Sequence, residues 1–551
     1  MSAGSDARLF AGGAILTLAG GPPADAIAIR EGRIVAVGSL ADCRDALGAG
    51  HAETDLAGRA LLPGFVDAHA HPLMLGQTWS WVDVSPVEAP TIKDLVETLR
   101  RHAADLPPGE PLYGYGYNHR RLVERRHPTA DDLDRVATDR DVYVMNQSGH
   151  GGVLNHRGLR SHGITRDTPD VPGGQIRRDA AGHPTGLVMD AACDLLTGPD
   201  GVKIANHGPN LHLPAAPETL DAYLETAQRA FLAGGVTSLV DAQVTRRELT
   251  TYLRALQRNK LRVRVGLRVL SAFLDELLSL GLTAGLGGPF LDLVGVKIYA
   301  DGTLGGWTAW FPSGYCCEPG NHGLLYHTPE QLADIVRRCH AAGVPSGTHA
   351  QSPGAIGLVL DAVAAATAHY GGHRVAHTIE HCGLPRDTEI DRMLELGVRP
   401  VMQPAHHLLF GDGVLEAVGE ELGMRYNPAG LFDRAGMLPV LSSDAPVSEP
   451  RPLQAVQAAV ERRTVNGTEL GSGELRLDVL TALRAHTIGG AQVARRAHDV
   501  GTIEVGKAAD LVVISEDPTT VEIERIGSVD VEETWVAGRR VGRGSINIIK
   551  E

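Results

Sequence analysis

The run Gly64-Phe-Val-Asp-Ala-His-Ala-His-Pro72 carries an apolar segment into a His-x-His pair and stops it with a proline. Alternate residues of a strand point to one side, so His69 and His71 project together from the carboxyl end of a strand predicted over 61–66. A divalent cation requires convergent nitrogen donors of this kind. An isolated His-x-His also occurs among polar loop histidines, so the pattern around it has to decide.

Seven further apolar runs follow, at 236–240, 261–270, 291–298, 344–348, 374–379, 398–403 and 438–441. Their near-continuous Val, Ile and Leu content fits strands buried on both faces. Amphipathic helices are predicted between them over 217–233, 329–342 and 353–370, each opened by a proline, as a first helical position permits. Eight such units predict an α/β fold, a closed (β/α)8 TIM barrel over 59–494. The gap from 72 to 215 is far too long for a βα loop. It carries a helix at 92–104 and strands at 112–117 and 142–146, and reads as an inserted subdomain over the barrel mouth. Both ends of the chain are β-like, from Ala14-Ile-Leu-Thr-Leu18 to Arg33-Ile-Val-Ala-Val37 and from Gly501-Thr-Ile-Glu-Val505 to Glu533-Thr-Trp-Val536. Residues 1–58 and 495–551 are therefore expected to pair as one small composite sheet domain.

Further residues of metal-binding type fall where these strands end. Lys297 lies in Leu293-Val-Gly-Val-Lys-Ile-Tyr-Ala-Asp-Gly302. Burial disfavours an ammonium and lowers its pKa, and a neutral amine can take up carbon dioxide as a carbamate, an anionic two-oxygen ligand. The competing reading is a lysine that reaches water or pairs with Asp301. His349 follows Val344-Pro-Ser-Gly-Thr348, and His381 closes Arg374-Val-Ala-His-Thr-Ile-Glu-His381. His377 is read as a buried histidine with an internal partner. Asp444 follows the eighth strand, where a carboxylate can hold a metal and exchange a proton with its water, or serve as a turn residue before Pro446. Active sites of such barrels sit at the carboxyl ends of the strands, so the six together weigh more than any one.

Composition sets the outer limits. At 551 residues, 43% hydrophobic and 21% charged, the chain is long enough for a large globular domain and a smaller one. A net charge of −15 argues against nucleic acid or an anionic membrane as partner. Six cysteines without a CxxC pair fit a reducing compartment. No basic leader and no membrane-spanning apolar run is evident. A cytoplasmic enzyme or binding protein is the expectation.

With those residues in place, the sequence resembles the amidohydrolase superfamily, and within it the branch containing N-substituted formamide deformylases. "GFVDAHAH", "NQSGHGGVLN", "GGQIRRDAAGHPTGLVMD", "VKIYADGTLGG", "TIEHCG", "SSDAPV" and "GTIEVGKAADLVVI" carry the resemblance nearly end to end. It implies that the terminal strands form a composite β-sandwich and that His69, His71 and Asp444 hold the more buried of two divalent metals. His349 and His381 would hold the second, and carboxylated Lys297 would bridge them. His150 would face substrate from the insertion. After the fifth-strand histidine the branch continues with Gly-Asp, whereas here His349-Ala-Gln-Ser-Pro353 follows, so an acidic group beside the substrate is missing. The reaction implied is hydrolysis of the amide C–N bond of an N-formyl or N-acyl amine by metal-bound hydroxide, with Asp444 as the proton carrier.

Zinc is the first expectation for the metals, while iron, manganese and cobalt also suit the ligands. Alternative readings on the same barrel are a mononuclear deaminase, an ester or lactone hydrolase, or a decarboxylase. A catalytically silent binding protein is a further one, disfavoured because all six ligands are kept. Trp79, Trp81, Trp307 and Trp310, with Phe311, are candidates for an apolar substrate pocket, against ordinary core packing. His406 and His407 could contact substrate or be solvated loop histidines. The partner expected is a small-molecule amide; a homo-oligomer is compatible with the sequence.

Overall fold

The computed structural model describes residues 7–543 except 200, 211, 373 and 374. Eight parallel strands form its centre: β1 Phe65–Ala70, β2 Val236–Val244, β3 Arg264–Leu270, β4 Leu291–Tyr299, β5 Ser346–Ala350, β6 Thr378–His381, β7 Arg399–Met402 and β8 Val440–Leu441. Each pairs with its sequence neighbour. The ring closes beyond the short β8, where the Asp444 N–H donates to the His69 carbonyl and the His71 N–H to the Ala445 carbonyl, both at 2.8 Å. This is a TIM barrel, its strands buried on both faces as their apolar content requires. The helices Pro217–Ala233, Pro329–Ala341 and Pro353–His369 begin at the prolines read as their openings.

Three strand predictions need correction. Gly501–Val505 forms no strand, and the first strand of the closing segment is Leu511–Ile514. The apolar run at 61–66 is not one strand. Ala60–Pro63 belongs to another sheet, and β1 starts only at Phe65, after Gly64. A side chain at Gly64 would lie 2.3 Å from the Thr237 side chain, so the glycine lets the chain pass β2 as it changes sheets. The sixth strand was expected to begin at Arg374, which lies outside the described residues; β6 covers Thr378–His381, and His377 precedes it.

The two ends of the chain join. Ala60–Pro63 pairs antiparallel with Leu511–Ile514 in a five-stranded sheet, completed by Ala14–Ile15, Val531–Val536 and Arg539–Arg543. A four-stranded sheet of Ala7–Ala11, Ala26–Arg30, Arg33–Gly38 and Ala52–Asp55 packs on it. Phe10, Ile27, Leu61, Val513 and Trp535 fill the space between, and Phe10 meets Trp535 edge-on at 5.2 Å.

The long segment after β1 builds a six-stranded sheet, with Val82–Asp83 at one edge, Gly174–Arg178 at the other and Pro184–Asp190 next to it. Its helix Ile92–Asp105 is closed at the start by reciprocal Thr91 and Asp94 bonds and buries Ile92, Leu95, Val96 and Leu99. Tyr115 ties this sheet to the barrel, its hydroxyl donating to the Pro446 carbonyl at 3.0 Å.

Candidate metal centre

Strand ends bring the predicted ligands together. His69 and His71 leave β1 on one side. The Nδ1 of His69 is committed to the Glu380 carboxylate, which also receives the Arg268 guanidinium from β3 and the Thr378 hydroxyl. Nε2 is therefore the open nitrogen of His69, and it lies 3.3 Å from Lys297 Nζ and 3.6 Å from Asp444 Oδ1. His71 Nε2 is 3.2 Å from the same oxygen. Metal-binding histidines commonly give their second ring nitrogen to a carboxylate or carbonyl in this way.

Asp444 sits at the meeting point, in the left-handed region at φ 56°. Asp67 of β1 shapes that turn by accepting the Ser443 N–H at 3.0 Å and its hydroxyl at 2.5 Å. The other Asp444 oxygen lies 3.6 Å from His406 Nε2 and 3.9 Å from His381 Nδ1. His381 Nδ1 donates to the Gln403 side-chain oxygen at 2.8 Å, so its Nε2 is the open nitrogen. His349 Nε2 donates to the Gly302 carbonyl at 2.9 Å, which leaves Nδ1 as its acceptor. The His349 and His381 rings lie 4.3 Å apart, and His69 is 4.9 Å from His381.

Burial governs the charges here. It pushes His69 down to about 4, reinforced by Lys297, and pushes Lys297 down to about 8 despite Glu380 and Asp444. His349 and His381 are likewise held neutral, by burial first. For Asp444 burial works the other way, but the His71 hydrogen bond and the His69 and His381 rings outweigh it and hold the carboxyl well below its usual range. Glu380 is kept ionised against burial chiefly by Arg268.

A divalent cation suits this set. His406 Nε2 and His349 Nδ1 are buried with no hydrogen-bond partner among the described residues, as nitrogens awaiting a ligand would be. Two groups have donor atoms all within 4.8 Å of one another: His69, His71 and Asp444, then His381, His406 and Asp444. Asp444 belongs to both. The first is the expected trio. The second has His406 where His349 was expected, while His349 stands beside it.

The remaining predicted residues divide. Lys297 does not pair with Asp301, whose oxygens accept the N–H groups of Trp310, Gln351 and Ser352. His377 bonds Ser346 Oγ at 2.8 Å and His340 at 3.1 Å, as a structural histidine should. His407 is engaged with the Ala458 carbonyl at 2.8 Å and not with the cluster. His150 reaches in from the insertion, its ring 5.5 Å from that of His349. The tryptophans do not share one pocket. Trp79 and Trp81 line a cavity of about 490 Å³ with Tyr115, Ala405, Leu409 and Pro446. Trp307 lines a second, of about 560 Å³, and lies beneath the Arg120 guanidinium at 3.5 Å; Trp310 lines neither. Sequence reasoning missed Asp67, Arg268, Glu380, Gln403 and Asp190. The first three are charges inside apolar strands, the same signal that singled out Lys297, and it would have found them.

Comparison with known proteins agrees with this geometry. Residues 52–542 match the model of the amidohydrolase family. The chain is 28% identical to the N-substituted formamide deformylase of Arthrobacter pascens over 530 residues, covering 94% of each protein. It is 29% identical to the protein LONG AFTER FAR-RED 3 of Arabidopsis thaliana over 94% of this chain and 88% of that one. Among solved structures, a metal-dependent hydrolase of Pyrococcus horikoshii OT3 superposes with a TM-score of 0.75 at 25% identity, over 94% of this chain and 99% of that one.

Proposed function

The chain belongs to the amidohydrolase family, and from that premise we propose that it hydrolyses the C–N bond of a small N-formyl or N-acyl amine at a two-metal centre. The supporting observation is Asp444, a buried carboxylate with imidazoles of both donor groups around it. His69, His71, His349, His381 and Asp444 would hold the cations, zinc first, since imidazole and carboxylate together suit it. Bound there, the cations would polarise the carbonyl and acidify a water molecule towards neutral pH.

The chain's own residues do the rest. A Lys297 pushed down to about 8 is partly neutral near pH 7. Its Nζ can then add to carbon dioxide with loss of a proton, giving a carbamate with two ligand oxygens. An Asp444 oxygen takes the proton from the attacking water and returns it to the departing amine nitrogen as the C–N bond breaks, so one carboxylate serves as base and then acid. The cavity lined by Trp79, Trp81 and Tyr115 would receive the substituent on that nitrogen, because Ala405 in its wall precedes His406 in the helix Pro404–Val418 and Pro446 lies two residues after Asp444. The cytoplasm is the setting we assign, for all six cysteines are unpaired.

Asp444→Asn is the test. It should keep about two metal equivalents per chain, yet lose at least about 100-fold in kcat on formyl and acetyl amides of small amines. Unchanged turnover would remove Asp444 from proton transfer, and one equivalent in the parent protein would favour a mononuclear, deaminase-like site.

A further inference from the structure

The inserted sheet contributes a histidine that is oriented as deliberately as the metal ligands. His150 follows the turn into the strand Gly151–Leu154, and its ring lies 5.5 Å from His349 and 6.4 Å from Tyr299. Its Nδ1 contacts Asp190 Oδ1 at 2.7 Å. The same oxygen is 2.7 Å from the hydroxyl of Tyr326, which stands in the long connection after β4. An oxygen receiving two such bonds accepts both, so His150 Nδ1 and the Tyr326 phenol each carry the hydrogen. Asp190 is fully buried, and it is bound to His150 a second time, its N–H donating to the His150 carbonyl at 2.7 Å. Its backbone sits at φ 54° and ψ −130°, a strained conformation for a non-glycine residue and one that tends to be kept where function needs it. Tyr326 in turn is fixed to the barrel, its N–H donating to the Ala300 carbonyl at 3.0 Å.

This arrangement does one chemical thing. With Nδ1–H spent on Asp190, His150 has only Nε2 left to offer, and in the Nδ1–H tautomer Nε2 can only accept. Beside a centre that cleaves amides, the group needing an acceptor is the N–H of the scissile amide itself. We propose that Asp190, locked by Tyr326, is a positioning residue that fixes the His150 tautomer so that Nε2 accepts the substrate's amide N–H, making secondary amides the substrate class. The inference rests on the amide-hydrolase reading above. No bond is made or broken by His150; it aligns the nitrogen whose lone pair must be free to take the proton carried by Asp444. An ester or an N-methylated amide has no hydrogen to give and would gain nothing from the acceptor.

The tautomer is read by ¹⁵N-edited NMR of the metal-loaded protein, with His150→Gln identifying the resonance. The parent should show His150 protonated at Nδ1; protonation at Nε2 would overturn the proposal. Asp190→Asn replaces the acceptor by a group that can also donate, a change that favours the wrong tautomer. It should lower kcat/KM about 10- to 100-fold on a secondary amide, the range found when an orienting partner is lost, with unchanged metal content. On the N-methylated analogue it should change by less than about 2-fold, and Asp190→Glu should recover part of the loss. Equal losses on both amides would mean a merely structural Asp190 and end the proposal. If the parent cleaves neither amide, the underlying functional reading fails instead; if it cleaves both alike, only this inference does.

Discussion

Glu380 shows how much of the centre depends on residues that touch no substrate. Its carboxylate takes Arg268 on one side and His69 Nδ1 on the other, with all three side chains buried. Glu380→Gln would leave Arg268 as a buried cation without its anion, a change that costs about 3–5 kcal/mol, and would loosen the ring that presents Nε2. Metal affinity should fall about 10- to 100-fold, measured by competition with a chromophoric chelator, while the small-sheet core around Trp535 stays intact by fluorescence. An unaltered affinity would show that His69 is oriented by the barrel alone. At this scale the sequence brings out the candidate ligands, because it groups imidazoles, a lysine and a carboxylate at the ends of strands. It discloses their partners poorly. Gln403 and Asp190 carry no pattern of their own, and only folding shows that one meets His381 and the other His150.

Among elements, the helix Pro72–Trp79 is the most exacting, since His71 is the residue that starts it. It lies so close to the helix Pro217–Ala233 that a side chain at Gly76 would meet the Tyr223 carbonyl at 2.0 Å. Backbone cannot yield as a flexible side chain can. Gly76→Ala should therefore push the two helices apart, lowering stability by about 1–3 kcal/mol as overpacked cores do, and displacing His71. Thermal unfolding and metal titration should worsen together; a lower melting temperature with intact affinity would mean that His71 is held by its bond to Ala445 and not by the helix. The existence of the eight barrel strands was legible from apolar runs, whereas their ends were not, and the strands Gly174–Arg178 and Pro184–Asp190 of the insertion went unread. The run at 61–66 looked continuous because composition does not register a change of sheet, and Gly64 is where that change occurs.

At the scale of the whole molecule, the barrel supplies the candidate ligands, the insertion supplies His150 and the joined termini pair into sheets of their own, so the site depends on parts far apart in sequence. The same burial that builds it leaves many ionisable groups inside, and their signs set the response to pH. Burial pushes His377 down to about 3 and His327 and His486 to about 4, against an unfolded value of about 6.5. Below that value the unfolded chain takes up these protons first, so their stabilisation is complete above about pH 6.5 and declines as pH falls towards 4. Asp67, Asp241 and Asp301 act oppositely. Burial raises them to about 6, against about 4 unfolded, so the folded chain protonates first and gains stability over nearly the same interval. The histidines outweigh the aspartates, because burial also lowers His69, His119, His127, His349, His381, His406 and His407. Below about pH 4.5 Glu248, Glu380 and Asp444, all held below their ordinary values, add to the loss as they are forced to protonate. Urea midpoints of the metal-free protein should therefore fall already between pH 6.5 and 4.5 and continue to fall below. Midpoints unchanged between pH 6.5 and 4.5 would show that the buried aspartates offset the buried histidines.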